Sequence, residues 1–232
     1  RLGNTHIELV RPDGRAALIS MLNQAHGNFI SVDFTHPSAV NDNADFYCAH
    51  GLPFVMGTTG GDREQLRRRV EASDIPAVIA PNMAKQIVGL QAMMAYGGEH
   101  FPELFKGFRM TLEESHQQGK ADTSGTAKAM VGYFNAMGVS FTVDEIVQVR
   151  DPAVQKDKWG VPEAHLKGHG WHTYTLTSPD GTVMFQFKHN VNGRDIYASG
   201  TFDAVAFLAG RVAAGIRGRV FSMIDVLRRP TG

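Results

Sequence analysis

Residues 53–62 read Pro53-Phe54-Val55-Met56-Gly57-Thr58-Thr59-Gly60-Gly61-Asp62. A short apolar run gives way to a Gly- and Thr-rich turn, and Asp62 then heads a charged stretch of helical spacing over 62–73. That order predicts strand, loop, helix. The same order repeats on either side. Phe29-Ile30-Ser31-Val32-Asp33-Phe34 predicts a strand, 37–50 a helix with Pro37 in its first turn, and Pro76-Ala77-Val78-Ile79-Ala80 a third strand. Further upstream, Ala16, Ala17, Leu18, Met21 and Leu22 give helical spacing over 15–25. Apolar strands separated by amphipathic helices indicate a parallel sheet covered on both faces. The expected fold class is α/β, a doubly wound sheet of the Rossmann type.

Such sheets bind ligands beyond the carboxyl ends of their strands. Three strand ends would meet there: Asp33-Phe34-Thr35, Gly57-Thr58-Thr59-Gly60 and Ala80-Pro81-Asn82-Met83. Glycine lets the backbone approach a ligand closely, and threonine hydroxyls can bond a ribose or an amide. A tight βα loop with a capped helix would use the same residues. No G-x-G-x-x-G turn precedes Arg15, and residues 1–10 are too short for a strand, a turn and a helix. The sheet is therefore expected without its first βα unit.

Beyond Pro81-Asn82 the pattern changes. Ile87, Val88, Leu90, Met93 and Met94 predict a helix over 85–98, and residues 108–113 a strand. From Gly168 the period becomes two, with Trp171, Thr173, Thr175 alternating against His172, Tyr174, Leu176, and Val183, Phe185, Phe187 continuing after a Ser178-Pro179-Asp180-Gly181 turn. Residues 83–200 are thus expected to form a second, α+β domain with an open mixed sheet. Residues 1–82 form the truncated first domain, and 201–232 a C-terminal helix that returns to it.

Within the second domain, residues 114–127 read Glu-Ser-His-Gln-Gln-Gly-Lys-Ala-Asp-Thr-Ser-Gly-Thr-Ala. His116 and Lys120 offer an imidazole and an ammonium four positions apart. Ser124, Gly125 and Thr126 open a helix whose first N–H groups have no intrahelical partner, which suits an anion. An ammonium there can neutralise a carboxylate and protonate a carbon. Asp122 is either a cap for that helix or a partner for Lys120. A polar loop before an ordinary capped helix would need no more than the same residues. Arg194 is placed to hold a carboxylate bidentately or to form an edge salt bridge. His165, His169 and His172 have metal-like spacing, but strand alternation sets His169 and His172 on opposite faces, and no metal is expected.

Composition excludes several classes. Lys+Arg and Asp+Glu are both 23, so no net charge points to nucleic acid or a membrane surface. The Arg67-Arg68-Arg69 run has acidic neighbours and reads as a solvated helix face. Cys48 is the single cysteine, which rules out an internal disulfide and fits a reducing compartment. No apolar run is long enough to span a bilayer.

Taken in order, these segments resemble the 4-hydroxy-tetrahydrodipicolinate reductase (dihydrodipicolinate reductase) family of lysine biosynthesis, especially its plant and cyanobacterial-related branch. The family's E-x-H-x-x-x-K-x-D-x-(P)-S-G-T-A motif is matched at Glu114, His116, Lys120, Asp122, Ser124, Gly125, Thr126 and Ala127. Gln117 replaces a second histidine of the bacterial form, and Asp122-Thr123-Ser124 is one residue shorter. The D-F-T-x-P, G-T-T-G and A-P-N-M segments match at 33–37, 57–60 and 80–83, and later segments match at 168–172 and 194–200.

The resemblance implies a two-domain reductase using NADPH or NADH, with a small cyclic dicarboxylate as substrate, located in the cytoplasm or the plastid stroma. It implies cofactor contacts from Asp33, Phe34, Thr35, Gly57, Thr58, Thr59, Gly60, Ala80, Pro81, Asn82 and Met83. His116 and Lys120 would be the catalytic proton-donor pair, with Lys120 the stronger donor. His116, Gln117, Lys120, Ser124, Gly125, Thr126 and Arg194 would hold the substrate. The second domain's sheet would join copies into a dimer or tetramer. The alternative is a truncated, non-catalytic relative that keeps the dicarboxylate pocket and the oligomer surface.

Overall fold

The computed structural model describes residues 3–27 and 29–228. Two compact units emerge: Arg1–Asn82 with Thr201–Gly232, and Met83–Gly200.

In the first unit, α1 (Arg15–His26) leads to β1 (Ser31–Asp33), α2 (Val40–Ala49), β2 (Phe54–Met56), α3 (Arg63–Glu71) and β3 (Ala77–Ile79). The strands are parallel, in the order β1-β2-β3, with Phe54, Val55 and Met56 of β2 wholly buried at the centre. Leu66 and Val70 of α3 and Val40 and Ala44 of α2 pack on Phe54, Met56 and Ala77. Asp62 caps α3 by accepting from the Gln65 N–H at 2.9 Å. The arginine run lies on the solvated side of α3, where Arg67 and Arg68 pair with Glu64, Arg67 also with Glu71, and Arg69 with Asp45. Burial raises the Cys48 thiol pKa, which favours the inert thiol over a nucleophilic thiolate.

Two readings need correction here. Residues 37–50 are not one continuous helix, because Pro37–Ala39 forms a 3-10 turn before α2. Nor is 201–232 a single helix. α7 (Asp195–Ala213) begins earlier and stops where Gly215 and Gly218 take φ values of 72° and 55°, open to glycine without strain. The chain then forms β8 (Val220–Phe221), which pairs parallel to β3 as a fourth strand, and a short α8 (Met223–Leu227).

The second unit opens with α4 (Lys85–His100). Its sheet contains β4 (Arg109–His116), β5 (Val147–Val149), β6 (His169–Thr177) and β7 (Met184–Asn192), in the order β5-β4-β6-β7. β5 runs parallel to β4; the other pairs are antiparallel. α5 (Gly125–Ala136) lies over one face, where Met130 and Phe134 meet Leu112, Tyr174 and Leu176. α6 (Pro152–Asp157) follows β5. In the β6–β7 hairpin turn, the Asp180 carboxylate accepts from the Ser178 hydroxyl at 2.6 Å and the Thr182 N–H at 3.1 Å. Strand β4 runs three residues past its expected end at Glu113 and carries Glu114, Ser115 and His116 inside the sheet.

Candidate functional site

The covered face of the second sheet turns polar at one end. Cross-strand register sets Leu112 opposite Tyr174 and Glu114 opposite His172 on the face that meets the core. His189 follows on β7, opposite His172. Glu114 is wholly buried, so its charge needs partners. One oxygen is paired with the Arg150 guanidinium; the other accepts from the Ser124 N–H at 3.0 Å and lies 3.6 Å from His172 Nε2. Burial alone would raise the carboxyl pKa. Hydrogen bonds from His172, Arg150 and the Ser124 backbone outweigh it and hold Glu114 at about 2.

His116 ends β4. Its Nδ1 lies 3.1 Å from the His169 carbonyl, which can only accept, and its Nε2 lies 3.2 Å from His172 Nε2. Burial, followed by repulsion from His172, pushes its pKa down to about 4 despite the Glu114 carboxylate. Gly170 makes room for the ring, since a Cβ there would lie 2.9 Å from His116 Cε1. Gln155 of α6, fully buried, donates to the His116 carbonyl at 2.7 Å and to the Val149 carbonyl at 3.0 Å.

The loop after β4 carries Lys120. Its ammonium reaches Asp122 at 2.6 Å, and its side chain is 20% exposed against 76% for Asp122. Ser124, not Asp122, caps α5 by accepting from the Thr126 N–H at 3.2 Å. Gly125 stands exposed at the first position of α5, and a Cβ there would meet nothing within 4 Å. Packing therefore does not demand glycine at that point. Gln117 is half-buried and its carbonyl accepts from the Lys120 N–H at 3.0 Å. Arg194 is exposed, just past the Gly193 turn. The Gly193 N–H bonds the Gly168 carbonyl at 2.8 Å, which ties this turn to the sheet end that carries His116.

Arg150, which has no motif to announce it, fastens this loop. Its Nε donates to the Lys120 carbonyl at 2.9 Å, its Nη1 to the Glu114 carbonyl at 3.2 Å, and its Nη2 to the Asp122 carbonyl at 3.4 Å besides the Glu114 carboxylate. The fork geometry of guanidinium allows one side chain to serve all of these. Arg150, Gln155, Gly170 and His189 carry no spacing signal. Only the pairing of β4 with β5 and β6 reveals them.

The three metal-like histidines do not converge. His169 turns to the opposite face, where its Nε2 lies 2.8 Å from the Ser115 hydroxyl and its Nδ1 donates to the His165 carbonyl at 3.1 Å. Glu114, His116 and His172 do bring ligand atoms within 4.8 Å of one another. Hydrogen bonds from Arg150 and Ser124, and between the two rings, already occupy them.

In the first unit, the parallel register carries 33–35, 57–60 and 80–82 to one sheet edge. Asp33 is buried and faces inward. Its oxygens accept from the Thr35 N–H and hydroxyl at 2.9 and 2.7 Å, from Asn43 at 2.9 Å, from Tyr47 at 2.9 Å and from Thr58 at 3.3 Å. It shapes the edge and has no free face for a ligand. Phe34 projects its ring outward, 56% exposed, and Gly57 lies so close that a Cβ would fall 2.2 Å from that ring. Thr58 is buried, while Thr59 and Gly60 are exposed. Ala80 is buried, Pro81 exposed and Asn82 half-buried; Met83, the first residue of the second unit, is buried.

Comparison with known proteins matches residues 8–83 to the model of the dihydrodipicolinate reductase N-terminus and 88–227 to that of its C-terminus. The chain belongs to the dihydrodipicolinate reductase family. It is 51% identical over 217 residues to 4-hydroxy-tetrahydrodipicolinate reductase 1, chloroplastic, of Arabidopsis thaliana, covering 94% of this chain and 62% of that protein. It is 46% identical over 228 residues to a probable rice reductase (Oryza sativa subsp. japonica), covering 98% and 70%. The reductase of Gloeobacter violaceus is 24% identical over 231 residues, covering 95% and 81%. The chain thus spans about 62% of the length of the Arabidopsis relative. Among solved structures, a dipicolinate-bound dihydrodipicolinate reductase from Paenisporosarcina sp. TG-14 superposes with a TM-score of 0.58 at 18% identity, covering 88% of this chain and 75% of that one, and so shares the fold.

Proposed function

We propose that this chain carries out the reduction of 4-hydroxy-tetrahydrodipicolinate to tetrahydrodipicolinate with NADPH or NADH, in the diaminopimelate route to lysine. Family membership supports the reaction, and the ammonium at Lys120 is the observation that carries it into this site. Lys120 is held through its backbone by Arg150, yet among the described residues its charge is matched only by the well-exposed Asp122. With its acidic partner so open to solvent, the pair is worth only about 1 kcal/mol, so a ligand carboxylate can replace Asp122 at little cost. Gly125 and Thr126 present the start of α5 beside it, favourable to the same carboxylate. Once exchanged, the ammonium lies against the substrate and can pass a proton to a ring carbon. Gln117 and Arg194 belong to the same proposed dicarboxylate site.

The residues of the first unit fit a nicotinamide dinucleotide. An exposed aromatic ring at Phe34 lies against bare backbone at Gly57, and Thr59 and Gly60 continue that open edge. Pro81 and Asn82 complete it. Asp33 and Thr58 act by holding the loops in place. The reduced nicotinamide, when bound, supplies the hydride.

The face of the second sheet turned away from α5 carries Thr111, Glu113, Thr173, Thr175, Gln186 and Lys188, with Val147 and Met184 exposed. This is the proposed surface through which copies associate. Among the described residues no helix is long and apolar enough to cross a membrane.

Lys120→Ala tests the assignment. Turnover should fall at least 100-fold, about 3 kcal/mol of transition-state stabilisation, while the melting temperature holds. Turnover close to that of the parent would remove Lys120 from the chemistry. Calorimetry with NADPH and with pyridine-2,6-dicarboxylate checks the two proposed binding sites separately.

A further inference from the structure

One corner of the second unit reaches the backbone of both His116 and Lys120. β5 ends at Val149, opposite Ser115 of β4, and α6 starts at Pro152. The corner is fixed by its own bonds. Asp151 caps α6, its Oδ1 accepting from the Ala153 and Val154 N–H groups at 2.7 and 3.3 Å, and the Gln155 N–H donates to the Asp151 carbonyl at 2.9 Å. From here Arg150 donates to the Lys120 carbonyl and Gln155 to the His116 carbonyl. Gln148 of β5 donates to the Thr123 hydroxyl at 2.8 Å. The loop 117–123 has little of its own to hold it. Among the described residues its one internal backbone bond runs from the Lys120 N–H to the Gln117 carbonyl.

Neither Arg150 nor Gln155 has a donor to offer a ligand. A guanidinium carries five N–H groups, and the Lys120, Glu114, Val149 and Asp122 carbonyls together with the Glu114 carboxylate engage them all. Gln155 is fully buried and aims its amide N–H groups at the His116 and Val149 carbonyls, while its Oε1 is buried without a partner among the described residues. Turning the amide over would set Oε1 against two carbonyl oxygens. The two carbonyls therefore dictate its orientation, even with an acceptor left unpaired.

We infer that Arg150 and Gln155 are positioning residues: from one rigid corner they hold the backbones of His116 and Lys120 and so set the separation of the two side chains. Arg150 also acts at the far end of the loop. The Glu114 carboxylate it pairs with accepts from the Ser124 N–H at 3.0 Å, so the start of α5 is referred to the same ion pair as the Lys120 backbone. That this spacing serves a dicarboxylate rests on the reductase reading above; the holding of the loop does not.

Amide hydrogen exchange on the full chain, followed by NMR, tests the holding without a ligand. In the parent, the Ser124 N–H should be protected like the amides of β4 although it adjoins a loop; exchange as fast as that of an exposed loop amide overturns the proposal. Arg150→Lys keeps a positive charge for Glu114 but has no planar fork to span the carbonyls. The Lys120 and Ser124 amides should then exchange at least about tenfold faster, with those of β6 changed far less. Gln155→Met loosens the loop from the His116 end alone, so the Lys120 amide should speed up and the Ser124 amide should not. Uniform acceleration across the sheet, or an unchanged loop in a folded variant, shows a merely structural role and overturns the proposal. If the lysine variant does not fold, the methionine variant and the parent decide.

Calorimetry with pyridine-2,6-dicarboxylate reads the consequence at the site. Arg150→Lys should raise its Kd about tenfold and leave that of NADPH unchanged, because misplacement by about 1 Å is enough to cost 10- to 100-fold. In a Lys120→Ala background the same change should add less than about threefold, since the group it positions is gone. Equal weakening in both backgrounds overturns the proposal. A parent that binds no dicarboxylate but shows the expected exchange counts against the reductase reading and not against the positioning.

Discussion

Replacing Arg150 by methionine keeps much of the side-chain volume and removes the guanidinium. Glu114 is wholly buried, and the change leaves its carboxylate with only the Ser124 N–H and His172 as donors. Breaking a buried ion pair from one side costs about 3–5 kcal/mol, because the surviving charge is stranded. The Lys120, Asp122 and Glu114 carbonyls lose a donor as well, but the first two belong to a partly exposed loop and can take water. The pair should therefore dominate the loss. In Glu114→Gln/Arg150→Met no charge is stranded, and the cost should drop to roughly 1–2 kcal/mol. Both tryptophans, Trp159 and Trp171, lie in the second unit, so urea denaturation followed by fluorescence reports on that unit directly. A loss below about 1 kcal/mol in the single variant, with an unchanged denaturant slope, would refute the reasoning. So would a double variant no more stable than the single one.

Stability should fall with acid well above the carboxylate range. His116 and His189 have folded pKa values near 4 against an ordinary 6.5, so between those values the unfolded chain binds more protons and stability rises with pH. Each histidine contributes at most about 1.4 kcal/mol per pH unit in that window, and Glu114, held near 2, adds a further loss below pH 4.5. Urea midpoints at pH 7.5 and 5 should differ clearly; equal midpoints would contradict the buried neutral histidines. In the first unit, Gly57→Ala should drive its Cβ against the Phe34 ring, from which it would lie 2.2 Å. Because Phe34 is exposed, the ring can swing away, so the fold should lose only about 1 kcal/mol while NADPH affinity falls. Calorimetry on Gly57→Ala and on Gly57→Ala/Phe34→Ala, which relieves the clash, separates the two effects.

The parallel sheet was legible because its strands must be apolar on both faces: Phe54-Val55-Met56 is buried at every position. β8 was not legible. Two residues between a glycine-bearing turn and a helix cap carry no period, and Val220 and Phe221 become a strand only because β3 offers a partner. The site was half legible. Lys120, Ser124 and Gly125 could be placed from a local pattern, since a helix start is written in adjacent residues. The end of β4 could not, because Glu114, Ser115 and His116 are polar and read as loop. They are inside a sheet because Arg150, His169 and His172 satisfy them, and those partners lie roughly 30 to 60 residues away in sequence, beyond the reach of any local pattern.

The pairing of Ala77 with Val220 joins segments roughly 140 residues apart, and everything in the second unit is made between them. On the ribosome, the second unit is complete and able to fold while β3 still waits with one edge unpaired. Until β8 emerges, that edge is open to association with other nascent chains. A chain interrupted before Arg219 would hold a finished second unit beside a first unit with a raw sheet edge, and its fate would be aggregation or capture by a chaperone rather than partial function.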